Sequence, residues 1–220
     1  MSPIPVLITA KLGSTRLPKK HLLDLGGTPV IEHVVRRCTH FGFEPFICCP
    51  ESDANMFSAM TSCLNVFGSS MQGVEAQVID TANHYNIRFF HQIDGDDPFF
   101  DRDAVIDSIQ CFRKAKFSRV LPSIYSQSGP GLVGTSYNLD AKENLVEELP
   151  DPAHIVWPMR LTLDYEEDYH LICAVNRMAG GFMAPRKAID DLFIRNPDLH
   201  RINFFRNDKW KIRQLGEFKR

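Results

Sequence analysis

The sequence has no apolar run approaching the roughly 20 residues that cross a bilayer. Its opening, Met1-Ser2-Pro3-Ile4-Pro5, puts no basic patch ahead of a long apolar stretch. Neither a membrane span nor a secretory leader is expected, and the chain reads as cytoplasmic. Charge of one sign is not in surplus either: 25 Lys and Arg face 27 Asp and Glu, a net charge of -2. Binding nucleic acid relies on a basic surface that neutralises phosphates, so nucleic acid is not an expected partner. Six cysteines (Cys38, Cys48, Cys49, Cys63, Cys111 and Cys173) contain no CxxC pair. Structural zinc needs such spacing, so these read as reduced, partly buried thiols. The two common glycine fingerprints for phosphate, GxxxxGK[ST] and GxGxxG, are also missing.

What is present is alternation. Residues 5–10 are an apolar strand candidate. Thr28 offers a helix cap, Pro29 suits a first turn, and Val30, Ile31, Val34, Val35 and Cys38 keep helical period until Gly42. Residues 46–49 and 65–67 read as strands and 53–64 as a helix. Within the strand, adjacent Cys48 and Cys49 would face opposite sides. Helix 73–85, strand 87–93, helix 103–112 and strand 117–121 continue the pattern. Apolar runs at Ile155-Val156-Trp157 and at 160–164 resume it as strands, followed by helices over 166–178 and 185–193. The expected fold is α/β: a mixed, mainly parallel central sheet flanked by helices. At 220 residues it is expected to be a single domain. Residues 122–152, with Gly129-Pro130-Gly131 and a charged run, form either a lid or small acceptor-binding lobe, or an ordinary surface hairpin.

Open α/β sheets bind ligands beyond the carboxyl ends of their strands. The first strand runs directly into Lys11-Leu12-Gly13-Ser14-Thr15-Arg16-Leu17-Pro18-Lys19-Lys20, four cations in ten residues. Gly13 permits a tight turn, and Ser14 and Thr15 carry hydroxyl donors. Backbone amides there could cradle an anion. Arg16 can hold a phosphate with two parallel hydrogen bonds, whereas lysine acts as a mobile point charge. The choice is between a polyphosphate site and a solvated basic loop. Another apolar strand ends in Asp94-Gly95-Asp96-Asp97, and the run Arg160-Leu161-Thr162-Leu163 ends in Asp164. Magnesium takes one or two carboxylates together with substrate phosphates, so two aspartates at two strand ends make a candidate ligand pair. The alternative for the first is an Asx turn. Asp101 and Asp103 read as helix N-terminal residues, His33 and His40 as surface residues, and His91 as a weaker functional candidate.

The stretch from Leu7 to Lys20, continuing through Leu22-Leu23-Asp24-Leu25-Gly26-Gly27-Thr28-Pro29, resembles the opening of the cytidylyltransferases that activate acidic sugars. It is most similar to the SpsF-like branch of spore-coat polysaccharide synthesis. Residues 93–101, 160–168 and Asn196-Pro197-Asp198-Leu199 with Ile202-Asn203 resemble further blocks of that family in the same order. The resemblance implies a nucleotide-diphospho-sugar transferase (Rossmann-like) fold and CTP as substrate. Arg16 and Lys20 would contact phosphates, with Lys11 as a third cation. Ala10 and Leu12 would meet the base or ribose through their backbone, and Asp96 and Asp164 would hold Mg2+. Lys19 stands where the family has glycine, and Lys11 where arginine is usual.

The expected reaction moves CMP from CTP onto a small acidic acceptor and releases pyrophosphate. Rival readings are a glycosyltransferase of related fold, since Asp94-Gly95-Asp96 is a literal DxD, and a non-catalytic nucleotide-binding protein. The run from Arg201 to Arg206 could serve a homodimer contact or pack as an edge on its own core.

Overall fold

The computed structural model describes residues 3–114, 119–122, 134–141, 146–149, 159–209 and 212. Its strands are β1 (Ile4–Thr9), β2 (Phe43–Pro50), β3 (Val66–Ser69), β4 (Phe89–Asp94), β5 (Arg119–Pro122), β6 (Thr135–Asn138) and β7 (Val146–Leu149). They form one sheet in the order β3-β2-β1-β4-β6-β5-β7. The pairs β3-β2, β2-β1, β1-β4 and β5-β7 are parallel, and β6 is antiparallel to both its neighbours. The mixed, mainly parallel sheet expected from the alternation is therefore present. Helices are α1 (Val30–His40), α2 (Ala54–Met60), α3 (Val74–His84), α4 (Arg102–Lys114), α5 (Glu166–Ala179) and α6 (Arg186–Arg195). Among the described residues, no helix is long and apolar enough to cross a membrane.

Strand β1 is apolar throughout its middle because it lies between β2 and β4 with both faces covered. Val6 and Ile8 join one core cluster, while Leu7 joins another on the opposite face. Cys49 and Cys48 divide in the same way. Burial pushes both thiols up to about 12, which leaves them protonated and unreactive.

Helix α1 buries its apolar stripe and ends at Phe41, after which Gly42 takes φ 80° and turns the chain into β2. Its start differs from expectation. Pro29, not Thr28, occupies the cap position, and the Val30 amide donates to the Leu23 carbonyl at 3.0 Å. That backbone bond makes a side-chain cap unnecessary. Helix α2 stops earlier than its periodicity suggests. The Glu32 carboxylate accepts from the Ser62 amide at 2.7 Å and from its hydroxyl, which draws the chain off the helical path. Asp101 accepts from the Asp103 amide at 3.0 Å at the start of α4, as an N-terminal residue should.

Residues 159–164 are not a strand. They keep the alternation of one, with Leu161 and Leu163 in the cluster under α5 and α6 and Thr162 and Asp164 on the other side. The chain here passes beyond the end of β4, where the Leu163 amide meets the Asp96 carbonyl at 2.8 Å instead of a ladder. Within 122–152, β6 and β7 belong to the central sheet. Residues 123–133, 142–145 and 150–152 of the stretch assigned to a lid or lobe, Gly129-Pro130-Gly131 among them, lie outside the described residues. So does the strand expected at Ile155-Val156-Trp157.

His40 is exposed, but His33 is not; it is 2% exposed, edge-on to Phe99 at 5.4 Å and to Phe182 at 6.2 Å. The surface assignment fails because α1 is covered on two sides, by the sheet and by the α5 layer. Beside it Arg37 is fully buried, donating to the carbonyls of Phe100, Phe182 and Ala184 at 2.8–2.9 Å. Burial, aided by Arg37, pushes the His33 imidazole down to about 3. The unfolded chain thus takes up a proton below about pH 6.5 that the folded chain refuses until about pH 3. Stability is expected to fall with acidification across that window, by up to about 1.4 kcal/mol per pH unit for each such proton. Urea unfolding between pH 4 and 7 should show a shallower slope in His33→Gln than in the natural sequence.

Candidate active site

The ends of β1 and β4 lie side by side, with Thr9 paired to Asp94. The Thr9 hydroxyl donates to Asp94 Oδ1 at 2.6 Å, and the Gly95 amide donates to the Thr9 carbonyl at 2.7 Å. Glycine is required there, because a Cβ would come within 2.8 Å of the Thr9 carbonyl oxygen and 2.9 Å of Ile31 Cδ1. This tight crossing delivers Asp96 and Asp97 to a cleft of about 200 Å³. Its walls come from the end of β1, the basic segment after it, the first turn of α3, the turn after β4 and the run ending in Asp164.

At its centre Lys20 Nζ donates to Asp96 Oδ2 and to Asp164 Oδ1, the latter at 2.9 Å. Arg16 donates to the same Asp164 oxygen at 2.5 Å. Burial alone would discharge Lys20, but the two carboxylates outweigh it and raise the ammonium to about 12. Burial likewise opposes the charge on Asp164. Lys20, Arg16 and Arg160 more than offset it and hold the carboxyl below its ordinary range. Asp97, buried and close to Asp96 and Asp94, is pushed well above its ordinary value. One buried carboxyl is thus held charged by cations, while its neighbour is driven toward the neutral form.

Asp164 is itself held in place by a buried polar frame. Asp168 accepts from the Asp164 and Tyr165 amides at 2.9 Å, and from Arg160 Nε and Asn203 Nδ2 at 2.9 Å. Arg160 also approaches Asp164 Oδ2 at 3.4 Å. Asp168 sits in the first turn of α5 and Asn203 lies 35 residues further on. Both lie in the family-like stretches, yet neither stood out as a site residue, because each acts by holding Asp164 and Arg160 rather than by lining the cleft. His21 braces the basic segment instead. Its Nδ1 donates to the Lys11 carbonyl at 2.9 Å, and burial lowers the imidazole to about 4, so the ring is neutral at pH 7.

Of the residues singled out in the sequence, Ala10, Lys11, Arg16, Lys20, Asp96 and Asp164 line this one cleft. Leu12, Gly13, Ser14 and Thr15 are not in its walls. The Leu12 amide donates to Asp53 Oδ2 at 2.8 Å, and its side chain packs against the core. Gly13 has open space where a Cβ would go and takes no positive φ, so the turn does not demand glycine there. The sequence reading gave no role to Thr9 and Thr162, which lie within the family-like stretches, and missed Val74 and Gln77, which carry no distinctive motif. His91 turns away, fully buried and bonded to the Ser136 hydroxyl at 2.8 Å.

Among the described residues, no group of three or more His, Cys, Asp or Glu side chains is arranged to hold a metal. The donor chemistry nevertheless suits magnesium bound with a phosphate ligand. Two hard carboxylates, Asp96 and Asp164, already converge on one cation, Lys20.

An open α/β sheet with such a charged cleft at its strand ends places its site where this architecture binds nucleotides. The structure matches that of a cytidylyltransferase from Leptospira borgpetersenii serovar Hardjo-bovis, with a TM-score of 0.76 at 18% identity, over 90% of this chain and 97% of that one. It also matches a CMP:2-keto-3-deoxy-manno-octonic acid synthetase complexed with CTP, with a TM-score of 0.59 at 15% identity, over 80% and 99% of the two chains. At these identities the likeness concerns the fold. The cytidylyltransferase family model matches residues 5–151, and the chain belongs to that family. A 3-deoxy-manno-octulosonate cytidylyltransferase of Methylorubrum extorquens is 29% identical over 117 residues, covering 50% of this chain. The chain aligns with 47% of that relative's length, so it spans about half of the curated relatives it matches.

Lys19, in the place where the resemblance leads one to expect glycine, has φ 54° and ψ 29°, the left-handed region. A residue with a Cβ is strained there by roughly 1–2 kcal/mol. Lys19→Gly is expected to raise the unfolding free energy by about 0.5–1 kcal/mol, after the greater flexibility of unfolded glycine is allowed for. Asp168→Ala should have the opposite sign and lower it by about 3–5 kcal/mol, since Arg160 would be left buried without its main partner. Equilibrium denaturation of both variants measures the two effects.

Proposed function

We propose that this chain transfers CMP from CTP to a small acidic acceptor, such as a sugar acid, phosphate or phosphonate, and releases pyrophosphate. One observation carries the reading: Arg16, Lys20, Asp96 and Asp164, from three separate parts of the chain, meet in a single cleft at the strand ends. Membership of the cytidylyltransferase family supports CTP as the donor. The relative from Methylorubrum, named for an acidic sugar, supports an acidic acceptor. A cytoplasmic location fits such an enzyme.

In this reading the acceptor oxygen forms a bond to the α-phosphorus of CTP. The bond from that phosphorus to the bridging oxygen of the pyrophosphate breaks. Negative charge then builds on the phosphoryl and departing oxygens, and Lys20, Arg16 and Lys11 offset it. Arg16 is steadied from behind by the Tyr165 ring, whose centroid lies 5.5 Å from the guanidinium carbon. An ionised carboxylate or phosphate acceptor needs no strong base, and the residues act by positioning and electrostatics. Mg2+ held by Asp96 and Asp164 would supply Lewis-acid stabilisation of the phosphates.

Pyrophosphate release from CTP, with a panel of sugar acids, phosphates and phosphonates, tests the proposal. Asp96→Asn and Lys20→Ala are expected to lose roughly 10²–10³-fold in turnover while remaining folded. Undiminished rates in both variants would remove the assigned roles. Turnover of a nucleotide sugar, with none of CTP, would replace this reading by a glycosyltransferase.

A further inference from the structure

The Lys20 ammonium occupies the space between the two carboxylates that a divalent cation would need. It touches Asp96 Oδ2 and lies 2.9 Å from Asp164 Oδ1, with its side chain only 7% exposed. Arg16 meets that same Asp164 oxygen from a second side. Both carboxylates thus already have cations from the protein itself, Lys20 for Asp96 and Lys20, Arg16 and Arg160 for Asp164. A free metal ion directed at these oxygens would displace a buried ammonium that bonds no other carboxylate among the described residues. It would also find no third protein ligand grouped with the pair among the described residues.

A triphosphate changes both conditions. Its oxygens offer Lys20 a new partner in the cleft that it shares with Lys11 and Arg16. The lysine stem is flexible enough to carry its charge a short way. The same oxygens complete a metal coordination shell that two aspartates cannot fill alone. We infer that Lys20 is an internal stand-in for the metal, excluding free divalent cations from Asp96 and Asp164 until nucleotide draws it off. Metal and nucleotide then bind together, each raising the affinity for the other. This rests on reading the cleft as a triphosphate site.

Binding of Mn2+ in the absence of nucleotide, followed by the electron paramagnetic resonance signal of the free ion, tests the inference. The natural protein is expected to show no stoichiometric site. Lys20→Met should gain one, at least tenfold tighter. Lys20→Arg, which keeps a cation in place, should behave like the natural protein. Adding Asp96→Asn to Lys20→Met should abolish the gained site. Equal Mn2+ binding by the natural protein and Lys20→Met would overturn the inference. If Lys20→Met does not fold, a nucleotide-free Mn2+ site in the natural protein that Asp96→Asn removes would overturn it equally. Turnover of CTP by the natural protein separates the two claims. Turnover together with nucleotide-free Mn2+ binding overturns only the exclusion. A Mn2+ site gained in Lys20→Met without any CTP turnover supports the exclusion and removes the transferase reading.

Discussion

Opposite charges brought together out of water hold this molecule's cleft in shape. Asp96 and Asp164 are 68 positions apart in sequence, yet both bond to Lys20. Carboxylates so placed repel one another unless a cation lies between them. Lys20 supplies that cation, and the two carboxylates hold its ammonium charged against the effect of burial. Each partner is delivered by a different device: Lys20 by the segment after β1, Asp96 by the glycine crossing after β4, and Asp164 by the frame around Asp168. Loss of Lys20 would take from Asp96 the cation it bonds, whereas Asp164 would keep Arg16 and Arg160.

The layers around this centre have unequal tasks. The parallel strands align their carboxyl ends, which brings Thr9 beside Asp94 and opens the cleft. Helix α1 is packed on two sides and acts as a shared wall for two core clusters, Ile31 lying in one and Val30 in the other. The α5 and α6 layer packs on Val30 of α1 and on Leu161 and Leu163, and through Asp168 it holds Asp164 at the cleft.

Much of this was legible from residue order. The central strand, the α1 stripe and Gly42 follow from apolar period and glycine's conformational freedom, which are local properties. Charged residues gathered at strand ends identified Arg16, Lys20, Asp96 and Asp164, because burying such groups needs partners. The failures share a different cause. Period two at 160–164 describes which side chains turn inward, but not whether the backbone finds a ladder partner. A solvent-facing place for His33 presumed that only one flank of α1 was covered. Gln77 and Val74 reach the cleft through the packing of α3, and their own residue types say nothing of it. Lys19 is the opposite case: its mismatch with the family's glycine was visible in sequence, and the left-handed backbone appears where glycine would fit best.

Arg37 ties together chain regions that the family match treats unequally. Its guanidinium binds the carbonyls of Phe100, within the matched residues 5–151, and those of Phe182 and Ala184, beyond them. Asp164 also lies outside the matched span. A shortened chain ending at residue 151 would keep the basic segment and the first carboxylate, but it would strip one wall from the cleft and leave Arg37 stranded against open solvent. The residues beyond 151 thus supply one wall of the cleft and two of the three carbonyls that hold Arg37.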